Sequence, residues 1–271
     1  MFDALLSILF GLVQGVTEFF PISSSGHLVV LHAIWPDFSA ADALAFDVAL
    51  HVGTLCALLV FFRRDLWRIF LAGIRSITRR PDQSDSRERR MFWYLVVGSI
   101  PAALVGLFFE SFLADTFRSA VSVGVTLFIG GLFFFWADRQ EANRTGESIA
   151  FKDVIWIGLA QALALVPGIS RSGSTIVAGR FLGLRHYDAA RFSFLLSVPI
   201  VFAAAVKVLA ELASQGVDSQ EIFTMLLGFA SSFITGLIAI RFLLRFFQSH
   251  TLRGFAWYRI ALGILLIIFW L

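Results

Sequence analysis

The sequence predicts an all-α polytopic membrane protein: six transmembrane helices plus two re-entrant helical hairpins, arranged as an inverted-topology repeat. Three observations carry this. Hydrophobic residues make up 58% of the 271 positions and charged residues only 15%, against about 25% charged in soluble domains. The apolar residues form continuous runs, not the alternation of barrel strands. Two short polar stretches of matching design interrupt those runs.

The first apolar region, 1–34, is broken by Pro21 and by Ser23 to Gly26. The second, 153–184, is broken by Pro167 and by Gly168 to Gly173. Proline removes a backbone donor and glycine frees the backbone, so neither region reads as one continuous helix. Each reads as a hairpin that dips into the membrane and returns, which is tolerated where protein or a water-filled cavity surrounds the break. Full spans, which need about 20 apolar residues, fall at 44–62, 92–109, 119–136, 192–210, 222–240 and 254–271. No linker divides the chain, so residues 1–271 read as a single integral membrane domain.

Charge sets the orientation. Residues 63–90 carry Arg63, Arg64, Arg68, Arg75, Arg79, Arg80, Arg87, Arg89 and Arg90, which assigns that loop to the cytoplasm. Arg180, Arg185, Arg191, Arg241, Arg245 and Arg253 fall on the same side of the six-span arrangement. The opposite loops hold Glu110, Asp115, Glu211, Asp218 and Glu221, with Arg118 as their base. Both termini then lie outside. The loop 137–152 is mixed in sign and decides little. Because the basic residues sit at the ends of apolar spans, nucleic acid is excluded as a partner. The N-terminus has no basic region ahead of Asp3, so no cleavable signal is expected. Cys56, the single cysteine, has no partner for an internal disulfide.

The polar breaks repeat each other. Gly11-Leu12-Val13-Gln14 leads, after eight residues, to Ser23-Ser24-Ser25-Gly26; Gly158-Leu159-Ala160-Gln161 leads, after the same spacing, to Ser170-Arg171-Ser172-Gly173. Phe46, Leu50 and Val52 match Phe192, Leu196 and Val198 in the same order. Halves of about 1–136 and 153–271, joined by the loop 137–152, each hold a hairpin and three spans. An odd number of spans makes the second half enter from the opposite side. The site is then expected between the halves near mid-membrane.

In the first break, Gln14 and Glu18 stand four apart and share a helix face. The turn that follows offers Ser23, Ser24, Ser25 and the Gly26 amide to an anion, and His27 adds an imidazole. A hydroxyl, an imidazole and a carboxylate are the parts of nucleophilic or acid–base catalysis. The same residues would also serve merely to satisfy a broken helix. In the second break, Arg171 brings a permanent cation among Ser170, Ser172, Gly173 and Thr175. Its planar fork fits phosphate oxygens, and an apolar helix has no structural use for it. A nucleophile or base facing a phosphate clamp calls for phosphoryl transfer or hydrolysis. A divalent ion, Mg2+ or Ca2+, is expected between Glu18 and a diphosphate, with Gln14 as a neutral oxygen ligand.

Other candidates stay open. Asp47 and His51 share a face at the start of a span, where they line the site or serve a structural role. His32, His186 and His250 read as loop or interface residues. Some of the 31 phenylalanines are candidates to line a groove for a lipid tail. The rival class is a transporter, since inverted repeats with broken helices build many secondary carriers. A carrier needs the clamp but has no need of a serine–histidine pair.

The motif Gln14-x-x-x-Glu18 running into Phe19-Phe20-Pro21-Ile22-Ser23-Ser24-Ser25-Gly26-His27 resembles the first motif of bacterial undecaprenyl-diphosphate phosphatases, also called bacitracin-resistance proteins. Pro167-Gly168-Ile169-Ser170-Arg171-Ser172-Gly173-Ser174-Thr175 resembles their second motif, and the likeness extends through Arg191 to Pro199 and over nearly the whole chain. Gln14 stands where some members have glutamate, and Ser25 where some have threonine. The resemblance implies removal of the terminal phosphate of a polyprenyl diphosphate lipid, undecaprenyl diphosphate, and a divalent-cation requirement. It also implies a place in the bacterial cytoplasmic membrane with the site facing the periplasm or exterior, and resistance to bacitracin. Ser24 is expected as nucleophile, with His27 as its base or as acid for the leaving group; attack by His27 or by water remain alternatives. A homo-oligomer is compatible with the sequence.

Overall fold

A computed structural model describes residues 2–36, 38, 43–78, 85–117, 119–215 and 219–270. Arg79, Arg80, Arg118 and Asp218 lie outside the described residues, as do the side chains of Glu110, Asp115 and Glu211. The fold is helical throughout, and among the described residues the one extended pairing is a bridge between Arg144 and Leu184.

The helices run in chain order as α1 (Phe2–Thr17), α2 (Ser24–Ile34), α3 (Ala43–Phe61), α4 (Arg63–Ile77), α5 (Ser86–Phe117) and α6 (Ala120–Asp138). The second half holds α7 (Phe151–Leu163), α8 (Arg171–Phe181), α9 (His186–Gln215), α10 (Ser219–Phe246) and α11 (Arg253–Trp270). Five helices, α5, α6, α9, α10 and α11, are long and apolar enough to cross a membrane. Helices α3 and α4 meet that test only together, as a pair bent by 84°, which brings the number of candidate spans to as many as six. The two broken regions form the helix pairs α1–α2 and α7–α8, each too short to span as a single helix.

Helix α4 is the element that reading 63–90 as a loop misses. Its apolar residues lie on faces instead of in a run, so it has no hydropathy peak. Ile69, Ala72 and Gly73 are buried, while Trp67, Phe70, Ile74, Arg64, Arg68 and Arg75 are exposed. That distribution suits a helix lying in the membrane interface. It packs on α5, where Phe92 occupies the space beside Gly73 and the Trp93 indole donates to Ser76 Oγ at 3.1 Å.

Packing between the halves is reciprocal. Helix α1 packs on α10 and α7 packs on α5; α3 packs on α10 and α9 packs on α5; α6 packs on α11 and α3 on α9. Small residues make these approaches close, as helix association in lipid requires. A Cβ on Gly158 would lie 2.7 Å from the Gly98 carbonyl oxygen, and one on Gly11 would collide with the Gly228 carbonyl. Beneath the breaks sits a core that includes Phe19, Phe134, Ile176, Phe194 and Leu196, all essentially buried. Leu107, Phe108, Ile238, Ile268 and Phe269 face outward, as a lipid-exposed surface demands. The loop 137–152 is pinned by Arg144, which donates to Leu182 O at 2.6 Å and pairs with Asp153 at 2.5 Å.

Candidate active site

The two breaks adopt one local geometry. Ser23 has φ +74° and Ser170 φ +71°, the only non-glycine residues with positive φ among those described. Side chains disfavour that region, and such residues persist where the surroundings hold them. Each serine caps the helix that follows: Ser23 Oγ accepts from the Gly26 amide at 3.3 Å and Ser170 Oγ from the Gly173 amide at 3.1 Å. The sharp turn delivers the next residue, Ser24 in one break and Arg171 in the other, to the start of a helix.

Both residues reach the same carboxylate. Ser24 Oγ donates to Glu18 Oε2 at 2.7 Å, and an Arg171 amine donates to Glu18 Oε1 at 2.6 Å. Gln14 Nε2 also donates to Oε2 at 3.1 Å, as the four-residue spacing predicts. Glu18 is 8% exposed, so this charge pair sits at a nearly dry junction. A second Arg171 amine donates to Ser193 O at 3.3 Å.

The remaining serines and the threonine hold the scaffold. Ser172 Oγ donates to Phe20 O at 3.2 Å, joining the second break to the first. Thr175 Oγ1 lies 2.6 Å from Ser193 Oγ. Ser23, Ser170, Ser172 and Thr175 are all buried, and the Gly26 and Gly173 amides are taken up by the caps. These groups are engaged within the protein, capping the two breaks and joining them to each other and to α9. Ser24, Ser25, His27, Arg171 and Ser174 keep accessible surface.

The ring nitrogens of His27 bond elsewhere than to Ser24 or Glu18. Its Nδ1 lies 2.7 Å from Ser23 O and its Nε2 2.6 Å from the Tyr258 hydroxyl, with the two rings parallel within 5°. It lines a separate cavity of about 490 Å³ with Val16, Phe20 and Phe255. The imidazole beside the carboxylate is His51, whose Nε2 lies 3.6 Å from Glu18 Oε2. Its Nδ1 is set by Asp47 O at 2.7 Å. Asp47 Oδ1 in turn contacts His32 Nε2 at 2.9 Å, so His32 belongs to this wall and not to a loop. His51, left open by spacing between a site and a structural role, stands beside Glu18, and Ser193 is the contact residue that spacing alone does not select.

A cavity of about 520 Å³ opens beside this junction. Ser25, Asp47 and His51 form its polar end, and Lys207 also lines it. Its walls are small and aliphatic, among them Val48, Ala102, Ala103, Gly106, Leu165, Ile200 and Ala203, instead of the phenylalanines considered from composition.

Gln14 Oε1 is buried without a hydrogen-bond partner. With Glu18 it gives one carboxylate and one neutral oxygen. Among the described residues no group of three or more His, Cys, Asp or Glu side chains is placed to hold a metal. This donor set fits a divalent ion only if a bound diphosphate supplies the other oxygens, which is magnesium's usual mode.

Fold and site together define a membrane-embedded enzyme, with a serine, a carboxylate and an arginine converging at the end of an apolar groove. The model of the family described as Bacitracin resistance protein BacA matches residues 7–265, and the chain belongs to that family. Proteins named undecaprenyl-diphosphatase are similar over almost their full length. One from Rubrobacter xylanophilus is 43% identical over 98% of this chain and 97% of its own. One from Moorella thermoacetica is 42% identical over 98% of both chains. One from Trichlorobacter lovleyi is 44% identical over 97% of this chain and 95% of its own.

Proposed function

We propose that this protein hydrolyses undecaprenyl diphosphate to undecaprenyl phosphate and inorganic phosphate, recycling the carrier lipid for cell-wall synthesis and conferring bacitracin resistance. The observation that carries the reading is the shared carboxylate: Glu18 holds the Ser24 hydroxyl on one oxygen and the Arg171 guanidinium on the other. The full-length similarity to proteins named undecaprenyl-diphosphatase supports the choice of substrate.

The prenyl chain lies along the aliphatic groove and the diphosphate meets Arg171. Arg171 turns from Glu18 to the terminal phosphoryl oxygens and stabilises the charge that develops there. Ser24 Oγ attacks the terminal phosphorus. Glu18, already accepting the Ser24 hydrogen bond, takes its proton. The bond from that phosphorus to the bridging oxygen breaks, and the proton passes to the departing undecaprenyl phosphate. Water then attacks the phosphoserine, Glu18 receives a water proton, and the proton returns to Ser24 Oγ as phosphate leaves. His51, between Glu18 and the cavity, relays protons to solvent. A divalent ion, Mg2+ or Ca2+, would be held by Glu18 and Gln14 Oε1 and would neutralise diphosphate charge.

The chain is read as one membrane domain of two halves, 1–136 and 153–271, in the bacterial cytoplasmic membrane. Arg191, Arg241 and Arg245 converge with Asp65 and Tyr187 at one end of the bundle, which supports a cytoplasmic assignment for that end. The groove is lined by Leu113 and Lys207, toward the far ends of α5 and α9, which supports a site facing the periplasm or exterior. A transporter reading uses the clamp but leaves the Ser24–Glu18 hydrogen bond without a purpose. The deciding experiment is phosphate release from undecaprenyl diphosphate by the purified protein and by Ser24→Ala. Release that survives in Ser24→Ala at the wild-type rate overturns the serine mechanism; no release from the folded wild type overturns the phosphatase.

A further inference from the structure

Arg259, on α11, is fully buried, and among the described residues no carboxylate pairs with it. A lone buried cation is unfavourable unless its donors are well satisfied. Its two terminal amines go to backbone carbonyls, while its Nε is buried without a partner. One terminal amine donates to Pro21 O at 3.2 Å; the other donates to Gly168 O at 3.1 Å and to Thr126 O at 3.4 Å. The guanidinium carbon lies 5.0 Å from the centre of the Phe134 ring, and Gly130 leaves the space it fills.

Pro21 and Gly168 stand two residues before Ser23 and Ser170, so they are equivalent positions of the two breaks. Pro21 lies between Glu18 and Ser24, and Gly168 precedes Arg171 by three residues. Thr126 also donates to Pro167 O at 2.8 Å, so α6 secures the second tip on which Arg259 acts. The breaks are therefore tied twice: by Glu18 through Ser24 and Arg171, and by Arg259 through the carbonyls behind them. The first tie opens when Arg171 turns to a phosphate; the second lies outside the chemistry.

We infer that Arg259 is a positioning residue for hydrolysis, holding the two breaks at the separation that keeps Ser24 and Arg171 on one phosphoryl group. The inference rests on the proposed site. A planar fork spans two carbonyls in fixed geometry, whereas a lysine ammonium is a point donor on a flexible stem.

The test measures kcat and KM for phosphate release from undecaprenyl diphosphate, with thermal unfolding in the same detergent, for Arg259→Lys, Arg259→Met and Gly130→Ala. Each is made in the wild type and in Arg171→Lys. Gly130→Ala keeps the guanidinium but crowds it, and covers the case in which the Arg259 variants do not fold. Arg259→Lys is expected to lower kcat about 10- to 100-fold, the scale of a misplacement near 1 Å, with KM and unfolding temperature little changed. In the Arg171→Lys background the further loss is expected to shrink to a few-fold, because the clamp it aligns is already impaired. Equal fractional losses in both backgrounds, or a wild-type kcat in both Arg259→Met and Gly130→Ala, would overturn the assignment. Failure of the site reading is separate: it appears as wild-type turnover in Arg171→Ala with Arg259 intact.

Discussion

Ser24 and Arg171 occupy equivalent positions of two matching helix breaks, and they bond the two oxygens of one carboxylate, Glu18, at 2.7 and 2.6 Å. The same backbone turn, built twice with a serine at positive φ, delivers a hydroxyl from one side and a guanidinium from the other. One turn thus serves two chemical ends because the residue after the cap is serine in one break and arginine in the other.

Arg171→Ala should lower turnover by about 10³- to 10⁵-fold, the scale of arginine clamps in phosphoryl transfer. Arg171→Lys should fall by less, since it keeps charge but loses the fork. Steady-state phosphate release from folded protein checks both, and near-normal activity in Arg171→Ala removes the clamp assignment.

Ser24 should carry a phosphoryl group during turnover. Acid quenching with terminally labelled substrate is expected to leave an acid-stable phosphoserine in the wild type and none in Ser24→Ala. Glu18→Gln should lower kcat by about 10²- to 10⁴-fold, as loss of a general base does. Label found on histidine would move the nucleophile.

The contacts of His27 give it an anchoring role. Its ring ties Ser23 O to Tyr258, so Tyr258→Phe should reproduce part of the activity loss of His27→Ala. His51→Ala should lower kcat through loss of the imidazole beside Glu18. A silent Tyr258→Phe beside a dead His27→Ala would show that His27 acts chemically.

Gly158→Val places atoms where the α5 backbone already lies, the Cβ being 2.7 Å from Gly98 O. The expected destabilisation is about 1–3 kcal/mol, typical of overpacking, read as a lower unfolding temperature in detergent. An unchanged unfolding temperature would mean that α7 does not depend on this approach.

Chelation should abolish phosphate release, and Mg2+ or Ca2+ should restore it, while lipid-free protein should show no tight retained metal. The site offers one carboxylate and one amide oxygen, too few to hold an ion without the diphosphate.

What the sequence by itself determined is what depends on local order along the chain. Six apolar runs, two proline- and glycine-marked breaks and the repeated spacing around Ser23 and Ser170 each report within a dozen residues or so. The structure keeps all of them, including the Gln14–Glu18 contact that follows from helix period. Tertiary structure decided whatever depends on rotation of one helix against another. His27 lies three residues after Ser24 in sequence, yet the start of α2 turns it to Tyr258 on α11, and a neighbouring span supplies His51 instead. Buried Ser172 and Thr175 spend their hydroxyls on Phe20 and Ser193, a choice that composition does not reveal. Helix α4 leaves no hydropathy signal because its apolar residues form faces and not a run. Arg259 lies inside the last apolar run and no motif marks it; only packing α11 against both breaks shows that its guanidinium meets the carbonyls of Pro21 and Gly168.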